Sequence, residues 1–239
     1  MSKSVLRILV IFIIGMVGGI FADQIFWPYF VEKPLFYEYR LEQSPVYITE
    51  QKEINVTENV ALQSAVEKVE KVVIGVRTEI KAGKILEGSG LILTSDGLMV
   101  TLADLVPVGA DFSFFIEGEI RSYEVLKRDL ENNIALVKIE DGTLGTVEFA
   151  NLENKKLGER VFVVGAIFDE EGNLSKIVNE GIIKYFKEDY VHTNIFESKA
   201  LSGSPLFDIE GRVLGLSQID SQGKLIAIPV SLIREFSDL

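Results

Sequence analysis

From Val72 to Pro229 the chain is a succession of short apolar runs, each cut off by a turn signal, with almost no stretch of helical period. Gly90-Leu-Ile-Leu-Thr94 runs into Ser95-Asp-Gly97, and Leu98-Met-Val-Thr101 follows at once. Phe112–Ile116, Tyr123–Leu126, Ile134–Ile139, Val161–Ala166, Ile177–Val178, Gly181–Phe186, Leu206–Ile209, Val213–Gln218 and Leu225–Pro229 continue the series. Asp-Gly, Glu-Gly and Gln-Gly pairs stand between many of them, as tight hairpins require. Short strands at this spacing must close or stack to bury their apolar faces, so the pattern predicts an all-β barrel or sandwich.

Helical periodicity is confined to three places. Leu62, Ala65, Val66 and Val69 fall at helical spacing behind Asn59, a plausible N-cap, and Ser231–Phe236 reads as a short terminal helix. The third is the apolar run 8–22, preceded by Lys3 and Arg7 and continued past Asp23 and Gln24 into Ile25-Phe-Trp-Pro-Tyr-Phe30. Its aromatic end suits a membrane–water boundary, and basic residues before the run predict a cytoplasmic amino terminus with the body exported. A retained single-pass anchor is preferred over a cleaved signal peptide ending near Ile20-Phe-Ala22, a weak cleavage site. Residues 31–58, with Pro34, Pro45 and no sustained period, read as a stalk. The expected organisation is an anchor over 1–30, this stalk, and a folded domain over 59–239.

Charge and cysteine content exclude several functions. The formal net charge is −12, and the first 23 residues sum to +1, which leaves −13 on the rest. Such a body is repelled by phosphate backbones, so no nucleic-acid partner is expected. There is no cysteine and one histidine, so disulfides, thiolate chemistry, a structural metal site and a bound cofactor are not expected.

The segment Lys199-Ala-Leu-Ser202-Gly-Ser-Pro-Leu-Phe207 resembles a serine-protease nucleophile loop, with Ser202 at the nucleophile. A serine hydroxyl needs an adjacent base to attack anything, usually histidine. The only histidine, His192, stands ten residues upstream, where a strand residue is the plainer reading.

Three segments together resemble the HtrA/Deg-type, trypsin-like serine proteases. Gly88-Ser-Gly-Leu-Ile-Leu-Thr-Ser-Asp-Gly-Leu-Met-Val-Thr101 is similar to the family's GSG-hairpin-VT signature. Leu126–Ile139 is similar to its RD-x-x-x-D-[IL]-A-L strand. Val191–Asn194 through Ser202-Gly203 to Gly211-Arg-Val-Leu-Gly215 is similar to its nucleophile loop and following hairpin. The resemblance implies a trypsin-like double β-barrel, barrel 1 over about 70–145 and barrel 2 over about 146–239, with the site in the cleft between them. It puts Ser202 at the nucleophile, Asp104 where the family has its histidine, Asn133 where it has its aspartate, and Ala200 at a glycine of the oxyanion loop.

Those departures undercut catalysis. An aspartate, with a pKa of about 4 in water, is a poor base for an alcohol. An asparagine offers no carboxylate charge, and an alanine resists the positive φ that aims an N–H at an oxyanion. Losing the base alone costs roughly 10⁶ in turnover in a well-studied protease. Lys199 is a weak candidate for a substitute base, while Asp129, Asp208 and Glu210 read as turn and hairpin residues.

The expectation is therefore an inactive, membrane-anchored protease homologue that binds extended peptides or proteins in the cell envelope. An active serine endopeptidase with a non-standard base and a structural adaptor subunit are the alternatives. The resemblance further implies trimer contacts in the amino-terminal region. No carboxy-terminal PDZ domain is expected, since the second barrel fills the chain to Leu239.

Overall fold

The computed structural model describes residues 3–32, 58–80, 83–140, 144–188 and 190–239. The chain divides into two compact units, Met1–Asn55 and Val56–Leu239. In the first, helix α1 (Lys3–Phe21) continues as a π-type helix over Ala22–Glu32. Lys3–Trp27 has a mean hydropathy of 2.6, and its 25 residues extend roughly 37 Å, enough to cross a bilayer. It is the one helix among the described residues with that length and composition. Most of the expected stalk, with any oligomer contacts in it, falls outside the described residues.

The second unit opens with α2 (Glu58–Val69). The helix starts at Glu58, so Asn59 lies inside its first turn and is not the cap expected from sequence. Ala65 and Val69 are buried, and the Lys68 ammonium donates to the Glu210 carbonyl at 3.2 Å.

Thirteen strands follow: β1 (Val73–Ile80), β2 (Lys84–Ile92), β3 (Leu98–Thr101), β4 (Asp111–Ile116), β5 (Glu119–Arg121), β6 (Tyr123–Asp129), β7 (Ile134–Ile139), β8 (Arg160–Phe168), β9 (Leu174–Lys187), β10 (Tyr190–Phe196), β11 (Pro205–Asp208), β12 (Val213–Ile219) and β13 (Lys224–Pro229). A terminal helix, α3 (Val230–Ser237), covers the expected Ser231–Phe236. The two apolar runs at 177–178 and 181–186 belong to one long strand, β9, because it pairs along its length with β8 and then shifts register against β10.

Strands β8 to β13 form a closed barrel in the order β10-β13-β12-β11-β8-β9. Strands β1 to β7 form a seven-stranded sheet, β5-β4-β1-β2-β3-β7-β6, whose edges do not pair. The first expected barrel is thus a curled half-barrel. Its edge β5 has only three residues, and the chain passes from it through Ser122 alone into the opposite edge, β6. Covalent continuity and aromatic packing turn that corner in place of a ladder. The Tyr123 ring lies 4.9 Å from both Phe112 and Phe114.

One apolar core joins the two sheets. Phe114, Ile74, Leu91 and Val137 from the half-barrel pack with Phe162, Phe207 and Ile228 from the barrel. A second cluster, including Val163, Ile183, Leu206 and Leu225, fills the barrel itself.

A recurrent aspartate closes the hairpins. Asp169, Asp208 and Asp220 each accept from the backbone N–H groups two and four residues on. In all three turns the third residue on is a glycine at positive φ: Gly172, Gly211 or Gly223. Asp129 accepts instead from the N–H groups of Glu131 and Asn132, two and three residues on. That last turn delivers Asn133 at the head of β7 with a φ of 55°, a left-handed conformation asparagine tolerates better than most residues.

Candidate active site

The nucleophile loop is clamped from both sides. Ser89 of β2 donates its N–H to the Ser202 carbonyl at 2.9 Å. Its hydroxyl accepts from the Ala166 N–H at 2.8 Å and from the Ser204 hydroxyl at 3.0 Å. Its own carbonyl accepts from the Thr101 hydroxyl at 2.7 Å. From the other side, the Gly203 N–H donates to the Ser217 carbonyl and the Ser217 hydroxyl to the Leu201 carbonyl, at 2.8 and 2.7 Å.

This close approach explains the glycines flanking Ser89 and Ser202. A Cβ on Gly88 would sit 2.6 Å from the Ser202 carbonyl oxygen, and Gly203 has a φ of +78°. These residues set backbone geometry, and the loop presents the Ser202 side chain to the cleft.

The cleft between half-barrel and barrel has a volume of about 630 Å³. Asp104, Asn133, Ala200 and Ser202, the four positions singled out in the sequence, all line it. Asp104 sits on the 3₁₀ turn Ala103–Leu105 and is exposed. Asn133 engages it twice: the amide oxygen accepts from the Asp104 N–H at 2.9 Å, and the amide nitrogen donates to Asp104 Oδ2 at 3.1 Å. The Asn133 carbonyl also accepts from the Ala103 N–H at 3.2 Å.

In the histidine–aspartate pair that the sequence resemblance would put at these positions, residue 104 donates its side-chain proton to residue 133. Here the direction is reversed and the negative charge has moved to position 104. The two departures fit one another physically. With a carboxylate at 104, a second carboxylate at 133 would set two like charges about 3 Å apart, whereas an amide donates a hydrogen bond.

Among the described residues the Ser202 hydroxyl makes no hydrogen bond. Ser202 follows the 3₁₀ turn Lys199–Leu201, and its N–H donates to the Lys199 carbonyl at 3.0 Å. Ala200 keeps a negative φ inside that turn. An oxyanion hole needs backbone N–H groups free to meet developing charge, and in this arrangement the Ser202 donor is already used.

Other residues weighed from sequence are elsewhere. His192 stacks on Tyr185 on the barrel wall, ring centroids 4.1 Å apart, and does not line the cleft. Burial, then Lys187 and Lys224, push its pKa below the usual histidine value. Asp129 and Asp208 are turn residues, as read. Asp208 is also a buried hub, held by Lys155 and Arg212 at 2.8 Å each. Lys199 does line the cleft, exposed and without an ion pair among the described residues.

Sequence reasoning missed Glu87 and Ile219 in the cleft lining. The only signals were the adjacency of Glu87 to Gly88 and the position of Ile219 at the end of β12. No group of three or more metal-ligating side chains occurs among the described residues.

A family model for the trypsin-like peptidase domain matches residues 88–216. Among curated proteins, a probable periplasmic serine endoprotease, DegP-like, of Pseudomonas fulva is 31% identical over 165 residues, covering 63% of this chain and 34% of that protein. Its Halomonas elongata counterpart is 27% identical over 163 residues, covering 63% and 34%. The match thus spans about a third of the length of these relatives. A solved structure of an HtrA-type protease with a tripeptide shares the fold at a TM-score of 0.65 and 21% identity, covering 74% of this chain and 62% of that one.

Proposed function

The chain belongs to the trypsin-like peptidase domain family as an HtrA/DegP-like member, and from that premise we propose that it is a catalytically silent, membrane-anchored homologue that captures extended peptide or protein segments. The observation that carries this reading is the state of Ser202. Its hydroxyl makes no hydrogen bond to a base among the described residues, and Asp104, at the position where the resemblance puts the histidine, is held by Asn133. The occupied Ser202 N–H adds to it, since even an attack on a carbonyl would find that oxyanion donor withdrawn.

Capture is supported by two strand segments with open edges beside the cleft. Among the described residues no strand pairs with β12 on its β11 side beyond Leu216; Ser217 is held there by Gly203 and Ser204, and the alternation of backbone groups turns the Ile219 N–H and carbonyl the same way. On the opposite wall, β2 pairs with β3 only from Gly90 onward, which leaves residues 85–87 open on that side among the described residues. An extended segment can add to such an edge through main-chain hydrogen bonds without any nucleophile. The solved structure that shares this fold holds a tripeptide. Lys3 and Arg7, in α1 ahead of the apolar run that starts at residue 8, support a cytoplasmic amino terminus, with the folded unit on the far side of the membrane.

The test uses the full chain in detergent with an unfolded protein substrate, read by mass spectrometry beside Ser202→Ala. Equal fragment yields from both, at the no-enzyme background, are expected. Fragments that disappear with Ser202→Ala would overturn catalytic silence.

A further inference from the structure

Resting on the capture reading, we propose that the cleft selects extended segments carrying a lysine or arginine side chain, which pairs with the carboxylate of Asp104. Asn133 fixes that carboxylate through Oδ2 and leaves Oδ1 without a partner among the described residues. The acceptor is therefore oriented before any ligand arrives, so little ordering entropy opposes binding. It stands where this fold family would present an imidazole, close to the reactive centre of the cleft, so a captured segment must pass it.

The surrounding charges sharpen the choice. Glu87 lies on the same cleft and is only partly neutralised by Arg77 at 3.7 Å. The rest of the body, at −13, draws cations towards it. Lys199 is the opposing charge, on the barrel wall. Side chains of an extended segment alternate between faces, so the neighbours of the paired cation face away from Asp104. One cation is accommodated, and Lys199 disfavours a second on its own side.

The experiment measures fluorescence polarisation of short labelled peptides on the full chain in phosphatidylcholine nanodiscs, with empty discs as the blank. The peptides share an alternating Val/Ser frame and differ only in a central Lys, Gln or Glu. The Lys peptide should bind about fivefold tighter than the Gln peptide, and the Glu peptide weakest. Asp104→Asn keeps an acceptor for the Asn133 amide. It should erase the Lys-over-Gln preference, and Lys199→Gln should widen it. Equal binding of Lys and Gln peptides, or a preference that survives Asp104→Asn, would overturn the charge selection and leave peptide capture standing. Binding of no peptide at all would overturn capture, and this inference with it.

Discussion

The N–H of Ser202 donates to the carbonyl oxygen of Lys199 at 3.0 Å, so the loop that presents the Ser202 hydroxyl to the cleft already uses that backbone donor. Turning the donor outward requires the peptide preceding Ala200 to rotate, and the Ala200 Cβ disfavours the positive φ that rotation needs. On the proposed reading, catalysis is lost at three places: base, orienter and oxyanion donor.

Restoring the first two without the third should give little. Asp104→His with Asn133→Asp is expected to label poorly with a fluorophosphonate. Adding Ala200→Gly should raise the labelling rate by about 10²-fold, the scale of one oxyanion donor. Equal rates for the double and triple variants would remove the Lys199 contact from the explanation.

Asn133→Asp alone sets a second carboxylate against Asp104 Oδ2, at the 3.1 Å now spanned by a hydrogen bond. The melting temperature should fall, and added salt should recover part of the loss by screening. Asn133→Gly should be better tolerated than Asn133→Ala by about 1 kcal/mol, because only glycine regains the ease of the left-handed φ. Thermal melts at two ionic strengths check both.

Asp208 ties acid stability to a buried contact. Burial pushes its pKa upward, but hydrogen bonds from Lys155 and Arg212 outweigh this and hold it below the usual carboxylate value. A depressed folded-state pKa contributes stability above the unfolded value of about 4, and that contribution is lost as pH falls through the folded value. Asp208→Asn should cost about 3 kcal/mol at neutral pH. The gap to the parent should narrow only below about pH 4 in urea melts across pH.

Lys176 works the other way at neutral pH, where its buried charge costs stability. It reaches from β9 to the Val73 carbonyl, and burial lowers its pKa to about 8 despite the attraction of Glu70 and Glu117. The unfolded chain holds that proton up to about pH 10.4, so stability rises with pH between the two values. Lys176→Met should raise the melting temperature at pH 7, and the gain should shrink as pH approaches 10. A gain independent of pH would mean that packing, and not the buried charge, sets the effect.

Much of this fold could be read from local pattern. Ser95-Asp-Gly97 marked its hairpin, and the runs at 112–116 and 134–139 lie on β4 and β7, because apolar alternation and turn chemistry are local properties. The Asp-x-x-Gly turns at Asp169, Asp208 and Asp220 were legible only as separate Gly pairs. Their shared logic appears once the aspartate is seen accepting two backbone N–H groups. Failure of closure in the half-barrel was not legible, since it depends on β5 and β6 meeting across one residue, a long-range matter of curvature. At the site, Ser202, Asp104, Asn133 and Ala200 were identified by motif order. The reversed hydrogen bond between Asp104 and Asn133 and the capture of the Ser202 N–H depend on side-chain and peptide orientation, which spacing does not encode. Glu87 and Ile219 became cleft residues only through the pairing limits of β2 and β12.

The most direct test of catalytic silence is the stoichiometry of fluorophosphonate labelling on the full chain in detergent, with Ser202→Ala as the blank and a cooperative melt to establish folding. The account predicts labelling indistinguishable from the blank. Saturating labelling of one serine per chain, lost in Ser202→Ala, would contradict it and require a base that acts on Ser202 without Asp104 and Asn133 as arranged here.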